Sequence, residues 1–361
     1  MNKIISIVLV SSLSWVAAEP VATASKADSS WSSYELHDSH FHLTNYIQEG
    51  TDIRDLLGIM GDKVGRVALF GIPLQQTWSH GISGDAAPSY YLESDAPLYY
   101  YSFTDAVIAK TYLSLETNDR ARFDPMITGF NPTDMYAAEH IRRVLKTFPG
   151  VFSGVGEFTI HKEFVSDKVA GGAASLTNPA VDRIFEFCGE VGLVCLIHND
   201  IATPFQKVGT KLVYLEQIKA LFKRHPKTSI IWAHLGVGRV VRPVEDHLAL
   251  IEEILKDPEL AHVNFDISWD EVAKYAVSSA QALAASSSLI NRYPDRFLFG
   301  SDTVAPKDAS MFLKTYRDYE ALWAVLTPET RQKVRKGNYE RVFDTARVKV
   351  RAWEANHVSA H

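Results

Sequence analysis

The run "ELHDSHFHLT", beginning at Glu35, sets His37, His40 and His42 close together with Asp38 between the first two. Side chains alternate along an extended chain, so His40 and His42 share one face and His37 points to the other. Two converging imidazoles make half of a divalent-metal site, and the other donors must come from elsewhere in the chain. A lone H-x-H on a surface strand would mean nothing, so those donors decide the matter.

Candidates stand at the ends of short apolar runs: Glu157 in "GVGEF", with His161 and Lys162 just beyond; His198 in "CLIHND"; His234 in "IWAHLG"; Asp266 in "NFDIS"; and Asp302 in "LFGSD". One such ending is an ordinary strand cap or a hydrogen-bonded core residue. So many in one chain point to a shared site.

The elements that must bring them together follow a rhythm. Eight runs read as strands: "YELHDSH", "GRVALFGI", "FDPMITGF", "FSGVGEFTI", "GLVCLIHN", "TSIIWAHLG", "HVNFDISW" and "RFLFGSD". Between them lie helical patterns such as "NPAVDRIFEFCGEVG", several opening on an N-cap residue or a first-turn Pro. Alternating strands and helices predict a parallel sheet, and eight units predict a closed (β/α)8 TIM barrel of the α/β class, a single domain. An open doubly wound sheet fits less well, because no Gly-rich phosphate loop follows the first strand. The longest interruption, Ile72 to about Leu98, is aromatic-rich and carries Trp78, Tyr90 and Tyr91. After the second strand it reads as a lid or substrate wall, or as a patch packed on the barrel. "TPETRQKVRKGNYERVFD" reads as a closing helix followed by a cap and a short final turn. The barrel then spans 35–345, with 346–361 as a tail.

The motifs "DSHFHL", "LIHND", "WAHLG", "NFDIS", "LFGSD" and "GNYERVF", spread from about Leu36 to Phe343, resemble the amidohydrolase superfamily. The resemblance is to its amidohydrolase-related branch, which includes aminocarboxymuconate semialdehyde decarboxylase-like enzymes. It implies metal ligands at His40, His42, His198 and Asp302, with His234 acting beside the metal. Glu157 falls where two-metal relatives bridge their ions; the reading put first is one ion, with Glu157 left to contact substrate. The donor set suits zinc first, with manganese or another divalent ion as alternatives. The branch contains hydrolases, lactonases, decarboxylases and hydratases, so it does not choose a reaction.

The expectation is hydrolysis of an amide, ester or lactone in a small, cyclic or apolar substrate. Asp302 takes the proton of the attacking water and returns it to the leaving group, while His234 stabilises the oxyanion or shuttles a proton. Arg239 could bind a substrate carboxylate through its planar fork, and Asp266 and Trp78 are further substrate contacts. The rivals are a nonoxidative decarboxylase using the same residues and a barrel that holds metal without turnover; the complete donor set argues against the last.

Composition narrows the partners. With a net charge of -6 and no basic stripe there is no electrostatic reason for nucleic acid, and a small molecule is expected. The N-terminus has Lys3, an apolar run from Ile4 and small residues before Glu19, which predicts a signal peptide over 1–18, or to 24 if cleavage follows Ala24. The run is serine-interrupted and short of the ~20 residues that span a bilayer, so periplasmic or secreted export is expected rather than a membrane anchor. Residues 19–34 are a flexible lead-in. A homodimer is left open. Cys188 and Cys195, the only cysteines, read as buried thiols that cannot build a zinc-thiolate cluster.

Overall fold

The computed structural model describes residues 31–45, 48–73, 81, 84–85, 101–162 and 174–358; those from Tyr34 onward belong to one compact unit. The expected signal peptide, most of the lead-in and nearly all of the aromatic insertion, Trp78 included, lie outside the described residues.

Each of the eight apolar runs enters a parallel sheet. The strands are β1 (Leu36–His42), β2 (Val64–Phe70), β3 (Phe123–Ile127), β4 (Gly154–Thr159), β5 (Val194–His198), β6 (Ser229–Trp232) and β7 (Val263–Asp266). The eighth run supplies the short β8 (Phe297–Leu298), and β9 (Thr303–Val304) follows directly after it. Their order is β8-β7-β6-β5-β4-β3-β2-β1-β9, so the segment from Phe297 to Val304 pairs with β7 at one end and with β1 at the other, and closes the barrel. The break between its halves stays tied to β1: Ser39 N donates to Phe299 O (3.1 Å) and Asp302 N to His40 O (2.8 Å). It falls where Asp302 adopts a left-handed φ of 53°, which no strand can continue.

Strand parity sorts the core into two layers. Val67, Leu69, Cys195, Ile197, Ile230 and Trp232 face the surrounding helices, while Ala68, Phe70, Val194, Leu196 and Ile231 fill the barrel. The helix Pro179–Val191 shows how sequence sets the outer layer. Asn178 accepts from Ala180 N, Pro179 begins the first turn, and Gly192 ends the helix at φ 87°, where a Cβ would be strained. Cys188 on that helix and Cys195 on β5 are free buried thiols. Among the described residues no helix is long and apolar enough to cross a membrane.

The C-terminus departs from the expected short turn and tail. The chain is helical from Pro328, through one π turn at Lys333–Gly337, and on over Asn338–His357. The reason is in the sequence: Val342, Ala346, Val350 and Trp353 recur at helical spacing and are buried, and no Gly or Pro follows Gly337. Tyr339, Val342, Phe343 and Ala346 join the barrel-filling layer. This helix therefore plugs the end opposite the strand C-termini.

A buried charge network holds the plug. Asp124, near the start of β3, accepts from Arg66 Nη2 (2.8 Å), Tyr339 Oη (2.7 Å) and Arg347 Nε (2.5 Å). Arg66 is 1% exposed, and without Asp124 its Nη2 loses a buried carboxylate while its Nη1 keeps the half-exposed Asp344. Asp124→Ala is expected to cost ~3–5 kcal/mol, the usual penalty for breaking a buried ion pair. Urea unfolding measures it; a loss below ~1 kcal/mol would be surface-pair behaviour and would contradict the reading.

Candidate metal centre at the strand C-termini

The interior parity that buries Val194 and Leu196 also carries His198 inward at the end of β5; in β1, Phe41 packs outward and His40 and His42 inward. His37 takes the other direction, as parity requires: its Nε2 meets Glu340 (3.0 Å) on the C-terminal helix and its Nδ1 accepts from Arg66 N (3.0 Å). Glu157 breaks the simple rule. Val155 and Phe158 both pack outward though three positions apart, and the β4–β5 register shifts between them. That irregularity turns Glu157 inward, a common use of a bulge beside a site. Gly156 makes room for it: a Cβ there would lie 2.0 Å from Leu196 O, at a φ of 111°.

Two donor groups result. In the first, His40, His42, Glu157 and Asp302 converge. His42 Nε2 is 2.8 Å and His40 Nε2 3.3 Å from Asp302 Oδ1, and both are 3.6 Å from Glu157 Oε2. In the second, Glu157 Oε1 lies 2.8 Å from His198 Nδ1 and 3.5 Å from His234 Nε2. Glu157 thus turns one oxygen to each group. Of the expected quartet, His40, His42 and Asp302 gather with Glu157 as their neighbouring donor, and His198 faces the other Glu157 oxygen. The register irregularity is the physical reason, because it puts Glu157 between the two sets.

Several supporting residues escape a reading of the sequence alone. Asp266, expected at the substrate, is fully buried; its Oδ2 meets His40 Nδ1 (2.9 Å) and its Oδ1 accepts from His234 N (2.7 Å). It holds the His40 ring and the His234 backbone. Asp200 Oδ1 sits 3.1 Å from His198 Nε2. Asp38 accepts from His40 N (3.0 Å), Ser301 N (2.8 Å) and Ser301 Oγ (2.5 Å), fastening β1 to the eighth run. The available signal was spacing: Asp200 and Ser268 each stand two positions beyond a residue already singled out, hence on the same face.

Strand β6 stops at Trp232, short of the run expected to reach Gly236, because His234 and Leu235 take left-handed φ values of 55° and 54°. Such strain persists only where neighbours enforce it. Here Asp266 holds His234 N, and His247 Nε2–H donates to Leu235 O (3.0 Å). Burial pushes the His247 pKa down to about 4. The folded chain keeps this ring neutral while the unfolded chain protonates it near ~6.5, so stability is lost as pH falls from 6.5 towards 4, by ~3 kcal/mol from this residue. His247→Gln, which keeps the N–H donor, should flatten that part of the pH profile of urea unfolding. Parallel profiles for the two proteins would contradict it.

The electrostatics favour cations. Burial would raise the Glu157 carboxyl, but the Lys162 ammonium, the His198 hydrogen bond and the nearby His234 and His40 imidazoles hold it well below the usual range. Burial opposes ionisation of Asp302 too, yet His40, His42 and His234 keep it well below normal. Burial depresses His40, but Asp302 and Asp266 outweigh it and raise its pKa well above the ordinary value. Burial and Lys162 likewise press His198 down, and Asp200 and Glu157 still leave it raised. A ring of buried carboxylates that draws protons onto imidazoles is one that a metal cation satisfies better.

At the mouth, Trp269 lies with its ring 5.1 Å from that of His234, at a φ of 74°. Lys162 Nζ (5.4 Å) and Arg239 Cζ (5.5 Å) stand over the same ring. Arg239 is two-thirds exposed, with Glu271 at 3.9 Å.

The residues fit a divalent ion. His40 Nε2 and His234 Nε2 are buried without a hydrogen-bond partner, while the opposite nitrogens are held by Asp266 and Ser268, the arrangement that readies a histidine for metal. Four donors around zinc at ~2.0–2.1 Å stand about 3.3 Å apart, and the histidine–carboxylate separations in the first group are 2.8–3.6 Å.

A family model for amidohydrolases matches residues 38–345. Among solved structures, the chain is similar to a 2,6-dihydroxybenzoate decarboxylase complexed with 2,6-dihydroxybenzoate, at 16% identity over 86% of this chain and 99% of that one, with a TM-score of 0.54. It is similar to an amidohydrolase from Burkholderia multivorans with bound zinc (15% identity, 86% and 99% covered, TM-score 0.53). A dihydroorotase from Campylobacter jejuni aligns at 14% identity over 86% and 83%, with a TM-score of 0.51. At these identities the likeness is one of fold. No curated protein sequence matches the chain. Because the family match takes in most of the chain, from within β1 through β9 and including both donor groups, the protein belongs to the amidohydrolase family.

Proposed function

We propose that the protein is an exported, metal-dependent hydrolase that directs water at the carbonyl of an amide, ester or lactone in a small substrate. The observation that carries this reading is the pair of donor groups sharing Glu157, with ionised Asp302 at their edge. They support two divalent ions, zinc in preference: one on His40, His42, Glu157 and Asp302, the other on Glu157, His198 and His234. Bound there, a divalent ion lowers the pKa of water and draws charge from a carbonyl oxygen.

The chain's residues do the rest. Asp302, with its side chain 8% exposed at the mouth, accepts the proton of the attacking water and returns it to the leaving group. Asp266 keeps His40 in place, and Asp200 keeps His198. Lys162 and Arg239, over Trp269, favour a substrate with a carboxylate on the side away from the attacked carbonyl. The ionised carboxyls of the cluster, Glu157, Asp266 and Asp302, suit a reaction that begins by taking a proton from water. Export rests on the N-terminal sequence alone.

The test is turnover by the zinc-loaded mature protein across carboxylated lactones, amides, esters and aromatic acids. Ring opening or amide cleavage without CO₂ is the expected result. Release of CO₂ from a carboxylated aromatic, with no hydrolysis, overturns the proposal in favour of a decarboxylase.

A further inference from the structure

Ser268 follows β7, fully buried, two positions after Asp266. Its Oγ lies 2.5 Å from Asp266 Oδ1, 2.7 Å from His234 Nδ1 and 3.2 Å from His40 Nδ1. His40 Nδ1 has a closer acceptor in Asp266 Oδ2 (2.9 Å), which leaves Ser268 to Asp266 and His234.

A hydroxyl has one proton to give, and an ionised carboxylate only accepts. The short contact with Asp266 Oδ1 is therefore a bond only if Ser268 is its donor. The serine oxygen must then accept from His234, which puts the imidazole proton on Nδ1 and the lone pair on Nε2. The reverse assignment sets two unprotonated oxygens 2.5 Å apart. The backbone agrees with the first assignment, since the same Asp266 oxygen takes the His234 N–H at 2.7 Å, and His234 Nε2 is buried without a hydrogen-bond partner.

We propose that Ser268 is a positioning residue that fixes His234 as the Nδ1–H tautomer, through the relay Asp266–Ser268–His234, so that Nε2 is kept as a ligand for the ion on Glu157 and His198. The inference rests on the two-ion reading above. It makes His234 a metal ligand locked against rotation, not the mobile proton carrier that its sequence position suggests. The sequence alone offers no route to it, because a serine two places beyond an aspartate has no chemistry until the fold sets it between two imidazoles.

The test uses the full chain as wild type, Ser268→Ala and Ser268→Thr. Zinc binding is titrated against a chromophoric chelator, and ¹⁵N-histidine NMR spectra are taken with and without zinc. The second zinc should bind about 10–100-fold more weakly to Ser268→Ala, the usual effect of removing an outer-shell partner, with the first unchanged. Ser268→Thr should restore it. In zinc-loaded wild type, His234 should carry its proton on Nδ1 and its metal shift on Nε2. Equal second-zinc affinity in Ser268→Ala, or a proton on Nε2 in the wild type, overturns the proposal. If Ser268→Ala does not fold, the wild-type tautomer decides. Wild type that takes up fewer than two zinc ions refutes the two-ion reading instead, and the tautomer in zinc-free protein then reports on Ser268 alone.

Discussion

Replacing Asp302 with Asn is expected to lower kcat by about 10³-fold or more, within the range lost when a positioned acid-base group is removed. Asn is close to isosteric and keeps an oxygen near His42 Nε2, 2.8 Å away in the native chain, so the local packing survives. What disappears is the negative charge and the ability to take a proton. The native carboxylate is well placed to do so, because two buried imidazoles, His40 and His42, lie within 3.3 Å of the same oxygen and hold it ionised. Measuring kcat and bound zinc on one preparation separates chemistry from binding. A variant with its full zinc and near-native kcat removes Asp302 from the proton path.

The second large effect falls on metal content. Glu157 offers Oε2 to His40 and His42 and Oε1 to His198 and His234. Glu157→Gln keeps one oxygen and replaces the other with an NH₂ group, which donates and cannot ligate. It also removes the charge that Lys162 faces at 3.4 Å. Elemental analysis after desalting should fall from two zinc ions per chain to one or none, with activity lost in step. Retention of both ions would mean that Glu157 does not bridge, and would return the site to a single ion with Glu157 free for substrate.

Much of this site is legible from spacing because strands with period-two alternation make side-chain direction a matter of counting. His40 and His42 face inward with Phe41 outward, and His198 and Asp266 end β5 and β7 as their runs imply. Counting fails where the backbone leaves the regular strand. Glu157 lies beyond an irregularity between Val155 and Phe158, which flips the parity that alternation assigns. His234 and Asp302 sit at left-handed φ, so their direction belongs to a turn and not to a strand. The division of labour between Glu157 and His198 is decided by such a departure. The roles of Asp38 and Ser268 depend on partners across the barrel, which the two-residue spacing that marks Asp200 and Ser268 does not name. The C-terminal helix is the opposite case: the stripe Val342, Ala346, Val350 and Trp353 is present in the sequence, but the motif "GNYERVF" that draws attention to the segment ends at Phe343, before most of the helix.

The most direct test of the two-ion centre is anomalous diffraction at the zinc edge from crystals of the zinc-loaded chain. Two peaks are predicted, one among His40, His42, Glu157 and Asp302 and one among Glu157, His198 and His234. A single peak ligated by His198 together with His40, His42 and Asp302, or no peak at the strand ends, contradicts it.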